Sequence, residues 1–437
     1  MDGLEGKEVT TNNNMTLHLF KRIPFAQPPL GQLRFQKPQP VNTWTGTLNA
    51  TEYGDACLGI RSNSDRPITM SEDCLNINVF TSHFCLSNGG CPVFVMIHGG
   101  VFAFGNSIQY NDTQILEKFV KHDIIFVLPA MRVGFFGFAD FGDDYEFAPY
   151  NVGLYDIIAN LEWIQHNIQS FGGNSSRVTL MGYSAGATAI QFLMSSPQLQ
   201  SHQLFSQAML SSGQPVLYQH RSQRLTTKFV EISNCSQGPI RNQTFTVQEK
   251  LDCLRNKSAD QLNELTKTLA NSMQHNGPQS NQHLFSAENY FEMASKRTPI
   301  KLLVMTALNE MDIAYDASSS VRHVCAEFLQ VLNYYQKETI DKCVERYNTT
   351  LELSNDFYHA IAAPECHLNN QKLAAPCYPG ILVKLITVTT QMICFIWLDN
   401  IWGKLKQFTI NDMLMDDFYP QVVRNFVNGQ QPSESKP

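Results

Sequence analysis

The most reactive arrangement in the chain is Gly182-Tyr183-Ser184-Ala185-Gly186. An apolar run, Val178–Met181, leads into it, and an apolar stretch, Ala185–Met194, leads out. Strand, tight turn and helix in that order make a nucleophile elbow, where glycines flank the serine because the turn leaves no room for side chains. Such a turn lifts the hydroxyl above the sheet and aims it at solvent. A serine hydroxyl attacks poorly without a base, and the tetrahedral intermediate needs N–H donors for its oxyanion. The N–H of Ala185, at the start of the helix, is one candidate donor. The turn His98-Gly99-Gly100-Val101-Phe102 follows the apolar run Val93–Ile97 and is the place for the others. His98 reads as a structural residue of that turn, because a base in this arrangement comes after the nucleophile in the chain.

The elements needed to hold these groups are visible as short apolar runs alternating with amphipathic stretches. Val93–Ile97, Ile124–Leu128, Val178–Met181 and Leu302–Thr306 read as buried strands. From Val152 to Ser170 the residues Leu154, Ile157, Ile158, Leu161, Ile164 and Ile168 recur at helical spacing. Phe171-Gly172-Gly173 stops that helix. The pattern predicts an α/β-hydrolase fold, with a large, mostly parallel central sheet flanked by helices. It is expected to fill one domain, 1–429. Residues 214–298 are polar and loop-rich and read as an insertion beside the sheet, and a disordered tail runs over 430–437. No internal repeat is present.

The chain has 437 residues, 43% hydrophobic and 16% charged, with a net charge of -7 spread along its length. No long basic run invites nucleic acid. The 11 cysteines lack zinc spacing, which argues against a structural metal, and no cofactor is expected. Eight glycosylation sequons start at Asn14, Asn49, Asn111, Asn174, Asn234, Asn242, Asn256 and Asn348. Cysteines and sequons together point to a secreted or ER-lumenal protein. The polar opening, Met1–Asn14, carries no apolar core of a signal peptide. Ile381–Leu398 is apolar enough to raise a membrane span, but Lys384, Gln391 and three threonines lie inside it. A lysine at that depth would cost about 3 kcal/mol. A buried strand followed by a short helix is the better reading, and no membrane partner is expected.

Several longer stretches resemble the type-B carboxylesterases, the group that includes cholinesterases and the adhesion proteins called neuroligins. They are Phe20–Phe35, Ser71–Val79, Val95–Gly100, the block from Asn151 to Gly186, and Leu204–Gly213. The resemblance runs from about residue 6 to about 375 and returns at Phe408–Gly429. It implies that Ser184 is the nucleophile and that Gly100, Val101 and Ala185 supply the oxyanion N–H groups. Val101 stands where the family usually has glycine; a backbone donor survives, but the side chain narrows the space above the ester. The acid maps to Glu310 in Met305-Thr-Ala-Leu-Asn-Glu310-Met311, and Ser212 maps to a serine that helps hold it.

The family's histidine base belongs between the strand near Gly380–Val388 and the helix entered at Phe408, an interval without histidine. His367 is the last in the chain, and neither it nor His359 is assigned as base. The resemblance also implies disulfides Cys57–Cys74 and Cys235–Cys253, each closing a loop of about 18 residues worth about 3 kcal/mol. It leaves the other seven cysteines unpaired. The leading reading is a hydrolase of small carboxylic esters working through an acyl-serine. The alternatives are a catalytically inactive binding or adhesion protein of the neuroligin type, and an active esterase whose gene model omits the histidine segment at 381–407. Choline esters are not expected as substrates. The loop between Cys57 and Cys74 has no tryptophan for a cation–π contact, and Tyr183 stands where cholinesterases carry glutamate.

Overall fold

The computed structural model describes residues 3–11, 14–60, 68–142, 147–196, 199, 204–213, 219–237, 244–269, 276–280, 284, 300–307, 322, 326, 337–347, 383–388 and 420–430. Its framework is a nine-stranded sheet. In chain order the strands are β1 (Lys7–Thr10), β2 (Thr16–Pro24), β3 (Asn76–Ser82), β4 (Cys91–Ile97), β5 (Ile125–Pro129), β6 (Gly173–Tyr183), β7 (Gln207–Ser211), β8 (Lys301–Ala307) and β9 (Val383–Val388). Their spatial order is β9-β8-β7-β6-β4-β5-β3-β2-β1. From β9 to β5 every pairing is parallel. From β5 to β1 every pairing is antiparallel.

The parallel strands must bury both faces, which is why β4 and β5 are continuous apolar runs rather than alternating ones. Successive side chains then feed two separate cores. Val93, Val95, Ile97, Ile125, Val127 and Leu180 enter one core. There they meet Leu154, Ile157, Leu161 and Ile164 of one covering helix and Ile190 and Leu193 of another. Phe94, Met96, Phe126, Leu128, Met181, Met209 and Leu303 enter the second core, against Ile115, Leu116, Val422, Val423 and Phe426.

The helices are α1 (His83–Asn88), α2 (Asp112–Lys118), α3 (Gly134–Phe138), α4 (Val152–Asn167), α5 (Ala185–Met194), α6 (Gln219–Ile232), α7 (Val247–Arg255), α8 (Ala259–Leu269), α9 (Lys337–Tyr347) and α10 (420–427). A 3-10 turn, Ile168–Phe171, finishes α4, and Gly172 at φ 83 takes the left-handed conformation that ends it. The 214–298 stretch, expected to be loop-rich, departs from that reading: its described part holds α6, α7 and α8. Their apolar residues are sparse but fall three or four apart, as in Leu225, Phe229, Leu251, Leu254 and Leu262, and they gather on Phe135 and Phe136 of α3. A capping box between Thr246 and Glu249 opens α7. β9 lies within the apolar stretch read from sequence as a strand, with Lys384 in register with Leu303. The short helix expected after it lies outside the described residues, as does the tail from 431 onward. Among the described residues no helix is long and apolar enough to cross a membrane.

Among the described residues there are three disulfides. Cys57 bonds Cys74, and Cys235 bonds Cys253. The third, Cys85–Cys91, joins α1 to the start of β4 and uses two cysteines that the sequence left unpaired. Two buried ion pairs lock loops to helices. Arg132 reaches both carboxylate oxygens of Asp156 on α4, at 2.9 and 2.7 Å. Arg34 does the same with Glu72, at 2.6 and 2.7 Å, and donates to the carbonyls of Leu254 in the last turn of α7 and of Lys257 just beyond it.

Candidate active site

Register brings the chemistry together. Gly182 on β6 is level with Ile97 on β4 and Leu210 on β7, so the residues that follow these three strands emerge side by side. That is the carboxyl edge of a parallel sheet, where open α/β folds place their ligands. Ser184 stands at the turn from β6 into α5 with φ 53 and ψ -122, outside the regions that L-residues favour. Its N–H donates to the Ser211 carbonyl at 2.8 Å, and its carbonyl accepts from Thr188 N at 3.0 Å. The flanking glycines are steric requirements. A Cβ on Gly182 would sit 2.3 Å from the Gly186 carbonyl carbon, and one on Gly186 would sit 2.3 Å from the Ile97 carbonyl oxygen.

The 98–105 turn packs directly on this elbow. A Cβ on Gly99 would lie 3.1 Å from the Ser184 Cβ and 2.8 Å from the Tyr183 carbonyl oxygen. Gly100, Val101 and Phe102 follow with φ of 115, 47 and 60. A β-branched residue in the left-handed region is strained, so Val101 carries a backbone cost that the family's usual glycine would not. Neighbours over-determine the shape: Ala103 N and Phe104 N both donate to the Gly100 carbonyl, Gly134 N to Phe102, and Ile60 N to Ala103. Ala185 begins α5, so its N–H is one of the first-turn donors that lack an intrahelical acceptor.

His98 is buried, with Nδ1 2.8 Å from the Gly99 carbonyl oxygen. Burial pushes its pKa down to about 4, against a smaller opposing effect of that backbone contact. The ring is therefore neutral at physiological pH, with Nδ1–H donating to Gly99. It holds the turn in shape, in line with the structural reading. Ser212 follows β7 at φ 52 and is buried, its Oγ without a partner among the described residues, one residue from the carbonyl that holds Ser184. Glu310, His359 and His367 lie outside the described residues.

The structure also shows groups that no residue pattern marks. α3, a five-residue apolar helix without periodicity, supports the turn through Gly134 and through the edge-on contact of Phe138 with Phe102. Among the described residues no group of three or more His, Cys, Asp or Glu could hold a metal ion. Of the sequon asparagines, Asn14, Asn49, Asn234 and Asn256 are exposed, and Asn111 and Asn174 are half-buried. Asn242 and Asn348 lie outside the described residues.

A nine-stranded, mostly parallel sheet with a strained serine between β6 and α5 defines an α/β-hydrolase. Two solved structures share the architecture. A thermophilic PNB esterase superposes with a TM-score of 0.77 at 24% identity, covering 100% of this chain and 91% of its own. A second PNB esterase gives 0.75 at 23%, covering 98% and 92%. The carboxylesterase family model matches residues 3–375, and the chain belongs to that family. Esterase FE4 of Myzus persicae is 38% identical over 252 residues, 57% of this chain and 43% of its own. The cocaine esterase of Homo sapiens is 34% identical over 268 residues, 58% and 45% respectively. The pyrethroid hydrolase Ces2e of Rattus norvegicus is 33% identical over 270 residues, 58% and 45%. The matched segment thus spans under half the length of these curated relatives.

Proposed function

We propose that the chain is a carboxylic ester hydrolase working through an acyl-serine intermediate. The observation that carries this reading is Ser184, held at φ 53 with the Gly99 turn packed so closely on it that a Cβ on Gly99 would lie 3.1 Å from the Ser184 Cβ. Ser184 Oγ attacks the ester carbonyl, and the oxyanion that forms accepts N–H bonds from Gly100, Val101 and Ala185. The Ser184 proton passes through the base to the alcohol oxygen as the C–O bond breaks, the alcohol leaves, and water releases the acid from the acyl-serine by the same route. Glu310 orients the base in this scheme, and Ser212, its Oγ without a partner among the described residues, helps hold Glu310. The base is unassigned; His98, neutral and engaged with Gly99, is not it.

The substrate is a small, neutral carboxylic ester, and relatives named as esterases and as a pyrethroid hydrolase support that class. Disulfides persist in oxidising compartments, so three of them favour a secreted or ER-lumenal, glycosylated protein. Labelling with a fluorophosphonate probe, read by intact mass, tests the assignment. One adduct on the native chain and none on Ser184→Ala is expected; equal labelling of both removes Ser184 from the mechanism.

A further inference from the structure

α3 is a short strut with one end at the oxyanion turn and the other at the insertion. At its N-terminal end, Gly134 N donates to the Phe102 carbonyl at 2.6 Å. The Phe102 and Phe138 rings meet edge-on, with centroids 5.0 Å apart. At its C-terminal end, the Phe138 carbonyl has lost any intrahelical donor. Two buried side chains supply donors instead: Asn276 Nδ2 at 3.2 Å and Gln279 Nε2 at 3.4 Å. Thr226, buried on α6, closes the clamp. Its Oγ1 accepts from Asp140 N at 2.9 Å, two residues past α3, and from Asn276 Nδ2 at 3.4 Å. Asn151 fixes the same segment to α4, since its side chain exchanges hydrogen bonds with both the N–H and the carbonyl of Gln279, at 2.9 and 2.7 Å. Phe135 stacks on Phe229 of α6 at 4.2 Å.

We infer that Thr226, Asn276 and Gln279, clamping the C-terminal end of α3, are positioning residues for the oxyanion N–H groups of Gly100 and Val101. None of the three reaches the reacting atoms. They act through α3, whose seat decides where the Phe102 carbonyl is pulled, and hence how the peptide groups just before it point. Oxyanion donors work only when aimed at the position the charge will occupy, so a small shift of the strut is felt in rate before it is felt in fold. The proposal rests on the reading of Ser184 as nucleophile and of the 98–105 turn as its oxyanion loop.

The test substitutes Thr226→Val, which keeps the shape of the side chain and deletes the acceptor. Thr226→Ser restores the acceptor. Ser233→Ala, which removes a hydroxyl that bonds the Val230 carbonyl at the same helix end, is the control. Two quantities are read on folded protein well below the melting temperature: amide hydrogen exchange of the 98–105 peptide, and the second-order rate of fluorophosphonate labelling. Thr226→Val should speed exchange at 98–105 and slow labelling about tenfold, within the range that misplacement of an active-site group produces. Thr226→Ser should recover both, and Ser233→Ala should change neither. Faster exchange with no labelling of any variant, native chain included, supports the mechanical link and sinks the Ser184 reading beneath it. Unchanged exchange at 98–105 in Thr226→Val overturns the proposal whatever the labelling rate.

Discussion

Ser184 offers a measurement that separates backbone strain from chemistry. Ser184→Ala and Ser184→Gly both delete the hydroxyl, and they differ only in the Cβ. At φ 53 and ψ -122 a residue with a Cβ bears about 1–3 kcal/mol of strain. Glycine escapes that strain but loses more chain entropy on folding, by about 0.4–1 kcal/mol. The difference predicts that Ser184→Gly is about 1 kcal/mol more stable than Ser184→Ala, a rise in Tm of about 1 °C for a chain of this size. Glycine adds no atom, so no new clash at the elbow offsets this. Paired thermal melts of the two variants under one scan rate give the answer, with fluorophosphonate labelling absent in both. A Ser184→Gly protein that melts below Ser184→Ala would mean that the elbow is relaxed, and the strain argument would fail.

Gly186→Ala should lower the labelling rate about 10²-fold, since its Cβ would overlap the Ile97 carbonyl at 2.3 Å and push α5 off β4. Gly46→Ala, at φ 81 with open space around it, should leave labelling unchanged while costing about 1 kcal/mol of stability. His98 is held neutral in the fold at a pKa of about 4, below the ordinary 6.5, so its contribution is complete above pH 6.5 and lost as pH falls towards 4. Urea unfolding across that window should show an acid decline of up to about 3 kcal/mol that His98→Asn flattens. Removing Cys85–Cys91 with paired alanines should cost about 2 kcal/mol, less than the roughly 3 kcal/mol for Cys57–Cys74, because it closes the shorter loop. Wherever turnover is measurable, a neutral aryl acetate should outrun acetylcholine; the reverse preference would refute the reading of Tyr183 and of the tryptophan-free loop.

Much of this was legible in the sequence for identifiable physical reasons. β4 and β5 are covered on both faces, so they stand out as unbroken apolar runs. The elbow shows because Gly182 and Gly186 cannot carry a side chain. The helices of 219–269 were hidden because each buries only a few apolar residues among many polar ones, and their partner surface on α3 is supplied from far away in the chain. α3 itself, Gly134–Phe138, is buried on every side and so carries no period to read. Cys85–Cys91 follows from a helical turn bringing its ends together, a geometry that residue spacing alone does not specify.

The position of β9 has a consequence for how the chain is made. Its partner β8 ends at Ala307, and β9 begins at Val383, so about 75 residues must be synthesised between them. At about 5–20 residues per second that is about 4–15 s during which β8 waits, its outer edge bare. Leu302 and Leu303 are almost wholly buried in the finished sheet, and the edge beside them is a template for any passing strand. During translation this flank of the sheet is where a chaperone would find the nascent chain, and where a second nascent chain would do the most harm.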